Sequence, residues 1–91
     1  MAYRLRYLPG AESDIRALSR EVARRVRNSL ERLAEDPRGG RPLHGSLAPF
    51  WSFRVGDYRI VYEIREAELV VLVVMVGHRR KIYERARRRR R

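Results

Sequence analysis

Polar and apolar positions along the chain follow two periods. Residues 3–8 alternate, with Tyr3, Leu5 and Tyr7 on one side and Arg4 and Arg6 on the other, which predicts a half-buried strand ended by Pro9-Gly10. Ile15, Leu18, Val22, Val26, Leu30 and Leu33 then recur at spacings of three and four and form one apolar stripe. Arg16, Arg20, Arg24, Arg27 and Glu31 lie off it. The stripe fits one helix, or two helices in a hairpin hinged near Ser19, and Asp36-Pro37 with Gly39-Gly40 end it. Residues 38–49, with Gly39, Gly40, Pro42, Gly45 and Pro49, read as a loop. Alternation returns at 50–55, where Trp51, Phe53 and Val55 share a face, and at 58–64, where Tyr58, Ile60, Tyr62 and Ile64 do. Residues 69–76 are apolar on both faces, as a central strand is. Residues 79–91 hold Ile82, Tyr83 and Ala86 among many arginines and predict a short helix running into a basic end.

These elements predict a small single α+β domain. An N-terminal strand and a helical hairpin precede a three-stranded antiparallel meander, and a short C-terminal helix closes the chain. A lone strand cannot bury its face, so the first strand joins the other three in one sheet. The helices then cover the apolar face of that sheet. The expected division is a domain over 1–86 and an arginine tail over 87–91.

One hairpin sets a register. Gly56-Asp57 leaves two residues between strands, with glycine first, which predicts a type II′ turn. Counting outward, Val55 faces Tyr58, Arg54 faces Arg59, Phe53 faces Ile60, Ser52 faces Val61 and Trp51 faces Tyr62. The aromatic and large apolar members fall on one face, and Arg54 and Arg59 stand side by side on the other. Like charges directly opposite destabilise a sheet, so this ledge reads either as an anion site or as two solvated arginines splayed apart. A second basic group, Gly77-His78-Arg79-Arg80-Lys81, begins where the last strand ends, a place where side chains and free N–H groups gather around anions. Tyr83 offers either a ring for base stacking or a packing residue against the sheet, and Trp51 belongs to the core.

Charge then narrows the class. The 91 residues carry 22 Lys+Arg and 11 Asp+Glu, a net of +11, and Lys81 is the one lysine. Removing Arg87 and the four arginines after it still leaves 17 − 11 = +6, so the body itself is basic. Arginine's planar fork suits phosphate contact, which points to a nucleic-acid partner. The chain has no cysteine, hence no disulfide framework and no thiolate metal site. His44 and His78 are far apart in sequence and make a poor metal pair. No metal and no organic cofactor are expected. The apolar run at 69–76 is far shorter than the ~20 residues of a membrane helix, so no membrane association and a cytoplasmic location are expected.

The segments PLHGSL (42–47), RVGDYRIVYE (54–63) with Trp51 before it, and VGHR (76–79) with Tyr83 resemble the RelE/ParE superfamily of type II toxins, on its RelE branch. The resemblance covers nearly the whole chain except the arginine run. It implies a microbial-RNase-like sheet and an mRNA endonuclease that works in the A site of the 30S ribosomal subunit, where the 2′-hydroxyl attacks the adjacent phosphate and translation stops. It implies catalytic roles for Arg59, Arg79 and Tyr83, with Arg59 and Arg79 at the phosphate and Tyr83 on the substrate base. Arg54, His78, Arg80 and Lys81 are expected to contact RNA. The resemblance also implies a cognate, acidic, RelB-like antitoxin and oligomers formed only through it. Studied family members carry lysines before the glycine turn, one of them proposed as the general base. Here Ser52 and Phe53 stand there, and Arg54, always protonated, is a poor base. That leaves His78, Glu63 or catalysis by positioning and charge stabilisation. Two other readings share these features: a ParE-like inhibitor of DNA gyrase, and a basic nucleic-acid-binding module without activity.

Overall fold

The computed structural model describes residues 2–89. In chain order the elements are β1 (Arg4–Tyr7), α1 (Pro9–Arg16), α2 (Arg20–Glu35), β2 (Arg41–Pro42), β3 (Trp51–Val55), β4 (Tyr58–Arg65), β5 (Val70–His78) and α3 (Ile82–Arg89). The strands form one mixed sheet in the order β1-β5-β4-β3-β2. The hairpin register is the one counted from the sequence, Trp51↔Tyr62 through Val55↔Tyr58. Gly56 takes φ 60° and Asp57 does not share the positive φ, the combination a type II′ turn requires. The N-terminal strand does join the sheet, and it pairs parallel to β5 from Arg4↔Val70 to Tyr7↔Val73.

The long stripe divides into two helices. Ser19 is the hinge, because its hydroxyl accepts the Val22 N–H at 3.3 Å and caps α2. Val26, Leu30 and Leu33 are buried against Val55, Ile60, Tyr62, Val71, Val73 and Val76, with Ile15, Leu18 and Val22 at the margin. That makes one core, between the α1–α2 hairpin and the sheet. A second core lies on the opposite face, where Ile82 and Ala86 of α3 pack with Leu47, Phe50, Val61, Val74 and Met75. The expectation that helices cover one apolar face is therefore incomplete: both faces of the sheet are apolar at its centre. β2 is a further departure, since two residues of the expected loop pair with Ser52 and Trp51 and form an edge strand.

The two cores share β5 because its alternation changes phase. Val61 pairs with Met75 but Tyr62 pairs with Val73, so Val74 is one extra residue on β5, a β-bulge. Below the bulge Val71 and Val73 face the α1–α2 hairpin; above it Val76 does. Val74 and Met75 both fall in the other core. α3 runs on through Arg87 and Arg88 to Arg89, so the expected tail begins inside a helix, and Arg90 and Arg91 lie outside the described residues.

Candidate nucleic-acid cleft

Strand alternation delivers the site. Ser52, Arg54, Arg59 and Gly77 share the face opposite the α1–α2 hairpin. On that face the second core fills only part of the sheet, and beside α3 a cleft of about 860 Å³ remains open. Gly39, Gly40, Arg41, Ser52, Phe53, Arg54, Arg59, Arg79, Arg80 and Tyr83 line it. Half of these are arginine and none is acidic, so the cleft concentrates positive charge between packed walls and focuses the field on an anion.

Each arginine has its own support. Arg54 and Arg59 stand opposite each other in the β3–β4 ladder. Arg59 is held to its own turn, its Nη1 donating to the carbonyls of Gly56 at 3.0 Å and Tyr58 at 2.9 Å. These bonds hold one prong of the guanidinium fork against the turn. Arg79 follows the last strand, and its backbone N–H donates to the Asp57 carbonyl at 2.8 Å, which ties the strand end to the hairpin turn. The Arg79 side chain lies 3.8 Å from the Asp57 carboxylate, a loose and exposed pair that water screens. At the other wall the Tyr83 hydroxyl and Ser52 Oγ are 3.0 Å apart and share a hydrogen bond. Behind the cleft, the buried Tyr62 hydroxyl donates to the Pro37 carbonyl at 2.6 Å. Burial pushes that phenol up to about 12.

Of the residues singled out from the sequence, Arg54, Arg59, Arg79, Arg80 and Tyr83 come together in one cleft, and His78 and Lys81 do not line it. His78 pairs with Tyr58 on the opposite face, ring edge to ring face with centroids 5.7 Å apart, and its Nδ1 accepts the Arg80 N–H at 3.3 Å. Glu63 also lies outside the lining and pairs with Arg65 at 3.4 Å. Arg41 and Ser52 are lining residues that the sequence reading did not place in the site. Ser52 was recoverable, since it lies two residues from Arg54 and so shares its face. Arg41 carried no signal, because a two-residue strand inside a glycine- and proline-rich stretch has no period. Among the described residues, no three His, Asp or Glu side chains gather to hold a metal ion.

Comparison with known proteins agrees with the fold. Residues 5–83 match the family model described as the ParE toxin of the type II toxin–antitoxin system, parDE. Toxin RelG of Mycobacterium tuberculosis is 36% identical over 87 residues, covering 93% of this chain and all of that protein. Among solved structures, the toxin–antitoxin complex RelBE2 of M. tuberculosis superposes with a TM-score of 0.82 at 30% identity, over 87% of this chain and 93% of that one. A mutant of Escherichia coli toxin RelE in the free state gives 0.82 at 28% identity, over 98% of both chains. The chain therefore belongs to the RelE/ParE family of type II toxins, on its RelE branch.

Proposed function

We propose that the cleft binds mRNA in the ribosomal A site and cuts it. The observation that carries this reading is the lining: convergent arginines, no carboxylate, and a tyrosine on the wall. In the reaction the 2′-oxygen forms a bond to phosphorus and the bond from phosphorus to the 5′-oxygen breaks. The 2′-hydroxyl loses a proton, the leaving oxygen gains one, and a 2′,3′-cyclic phosphate remains. Negative charge builds on the phosphate oxygens in between, where Arg59 and Arg79 act as clamps and Arg54 neutralises the approach. Tyr83 stacks on the base beside the cut. Arg41 and Arg80 hold flanking phosphates. The lining offers hydroxyls at Ser52 and Tyr83 but no carboxylate, imidazole or amine, so the rate rests on positioning and charge stabilisation more than on a strong base. This follows the sequence: no lysine precedes the glycine turn.

The same positive cleft suits an acid-rich antitoxin. RelBE2 of M. tuberculosis is a toxin–antitoxin complex, and an equivalent partner here would associate fast at low salt because of the +11 charge. A ribosomal target would require the protein to act in the cytoplasm.

Induction in growing cells, with mapping of mRNA 5′ ends, tests the reading. Wild type is expected to arrest growth with cuts recurring in codon phase. Arg59→Ala or Arg79→Ala is expected to lower cleavage by about 100- to 1000-fold, the usual effect of removing one charge-stabilising donor. Arrest without mRNA cuts, and with gyrase trapped on DNA, would replace this reading by the ParE-like one.

A further inference from the structure

α3 lies across the sheet between two polar tethers. On the β3 side, Tyr83 reaches Ser52. On the far side, Arg85 Nη2 lies 3.0 Å from each carboxylate oxygen of Asp14, on α1. Asp14 Oδ2 also accepts the Val76 N–H at 3.0 Å. That N–H stands just above the β5 bulge, past the point where β1 stops pairing. One carboxylate thus joins α1, the free edge of β5 and α3. The pair is partly sheltered, with the Arg85 and Asp14 side chains 32% and 19% exposed, whereas Arg88–Glu84 on the same helix is 67% and 70% exposed. Sheltered, doubly bonded pairs hold geometry where exposed ones do not. The approach between the tethers is close: a Cβ at Gly77 would stand 2.7 Å from Arg85 Nη1 and 2.9 Å from Ile82 Cδ1. Side chains of the helix thus rest directly on the strand at this bare position.

We propose that Asp14, which lines no part of the cleft, is a positioning residue for it: through Arg85 it sets the seat of α3 and so the place of the Tyr83 hydroxyl beside Ser52. Tyr83 is separated from Arg85 by one residue on a single short helix, so a shift of the Arg85 end moves Tyr83 with it. Arg41, Arg54 and Arg59 are carried by strands and stay in place. The functional part of this inference rests on the nuclease reading; the positional part does not.

Asp14→Asn keeps an acceptor for the Val76 N–H and removes the charge. Arg85→Met keeps the length of the other side chain and removes its donors. Both variants are checked for cooperative thermal unfolding before use. In single-turnover cleavage of ribosome-bound mRNA, each is expected to lower kcat roughly 10- to 100-fold with KM unchanged. In a Tyr83→Ala background neither is expected to lower it further, because the effect runs through that side chain. Losses that multiply in full with Tyr83→Ala would overturn the proposal. A readout independent of activity is the ¹⁹F spectrum of protein labelled with 3-fluorotyrosine, with the Tyr83 line assigned by Tyr83→Phe. Both variants are expected to move that line. An unmoved line in both overturns the positioning role; a moved line in a protein that never cuts mRNA supports it and removes only the nuclease reading.

Discussion

The two faces of the sheet use the same strands for opposite purposes. Toward the α1–α2 hairpin, Val55, Ile60, Tyr62, Val71, Val73 and Val76 meet Val26, Leu30 and Leu33 and are buried, with Trp51, Phe53 and Ile64 half-buried beside them. Toward α3, apolar packing stops short, and Arg54 and Arg59 occupy positions that would otherwise be covered. The first face supplies stability through apolar area removed from water. The second tolerates like charges side by side, which a sheet selected for stability alone would avoid. The candidate site sits where burial was left unfinished, with the buried core behind it supporting the strands that carry the arginines.

Substitutions sharpen that contrast. The largest stability effect is expected on the packed face: Leu30→Ala, at 1% exposure, is expected to cost about 2–5 kcal/mol in urea unfolding. A cost below about 1 kcal/mol would mean the α1–α2 face is not the principal support. Next comes Tyr62, whose phenol is raised from 10.0 to about 12 by burial. Its neutral form is favoured in the folded chain, so its contribution is complete below pH 10. Above that the unfolded phenol ionises first, and stability falls as pH rises, until the contribution is gone near pH 12. The loss is at most about 2–3 kcal/mol. Tyr62→Phe is expected to flatten this part of an alkaline unfolding profile, and an unchanged slope would assign the sensitivity to other groups. The smallest effect belongs to the open face. Arg54→Ser removes one of two opposed charges and is expected to change stability by less than about 0.5 kcal/mol, toward higher stability. A large loss would make Arg54 a structural residue.

Much of this was legible in the chain. The Gly56-Asp57 turn gave the hairpin register, because a two-residue loop leaves one way to count. The spacing of Ile15 through Leu33 gave the packed stripe, and Ser19 marked its hinge. The ledge of Arg54 and Arg59 followed from register alone. What was hidden depends on long-range pairing. Alternation in Tyr3, Leu5 and Tyr7 shows a face but not a neighbour, so the parallel pairing with β5 had no local signal. β2 is too short to have a period. The bulge was invisible because residues 69–76 are apolar in either phase, and a change of phase in a uniform string leaves no trace. Asp14 was equally silent, since its partners are 62 and 71 residues away.

The extra residue at Val74 divides β5 by parity. Before it, odd-numbered residues look toward the α1–α2 hairpin; after it, even-numbered ones do. Unbroken alternation would have turned residue 78 into the cleft and residue 77 away from it. An imidazole would then have stood among the arginines, and the helix would have lost the one bare position on which it can sit so closely. One inserted residue thus exchanges a titratable ring for a helix seat, and with it the kind of proton chemistry open to the cleft.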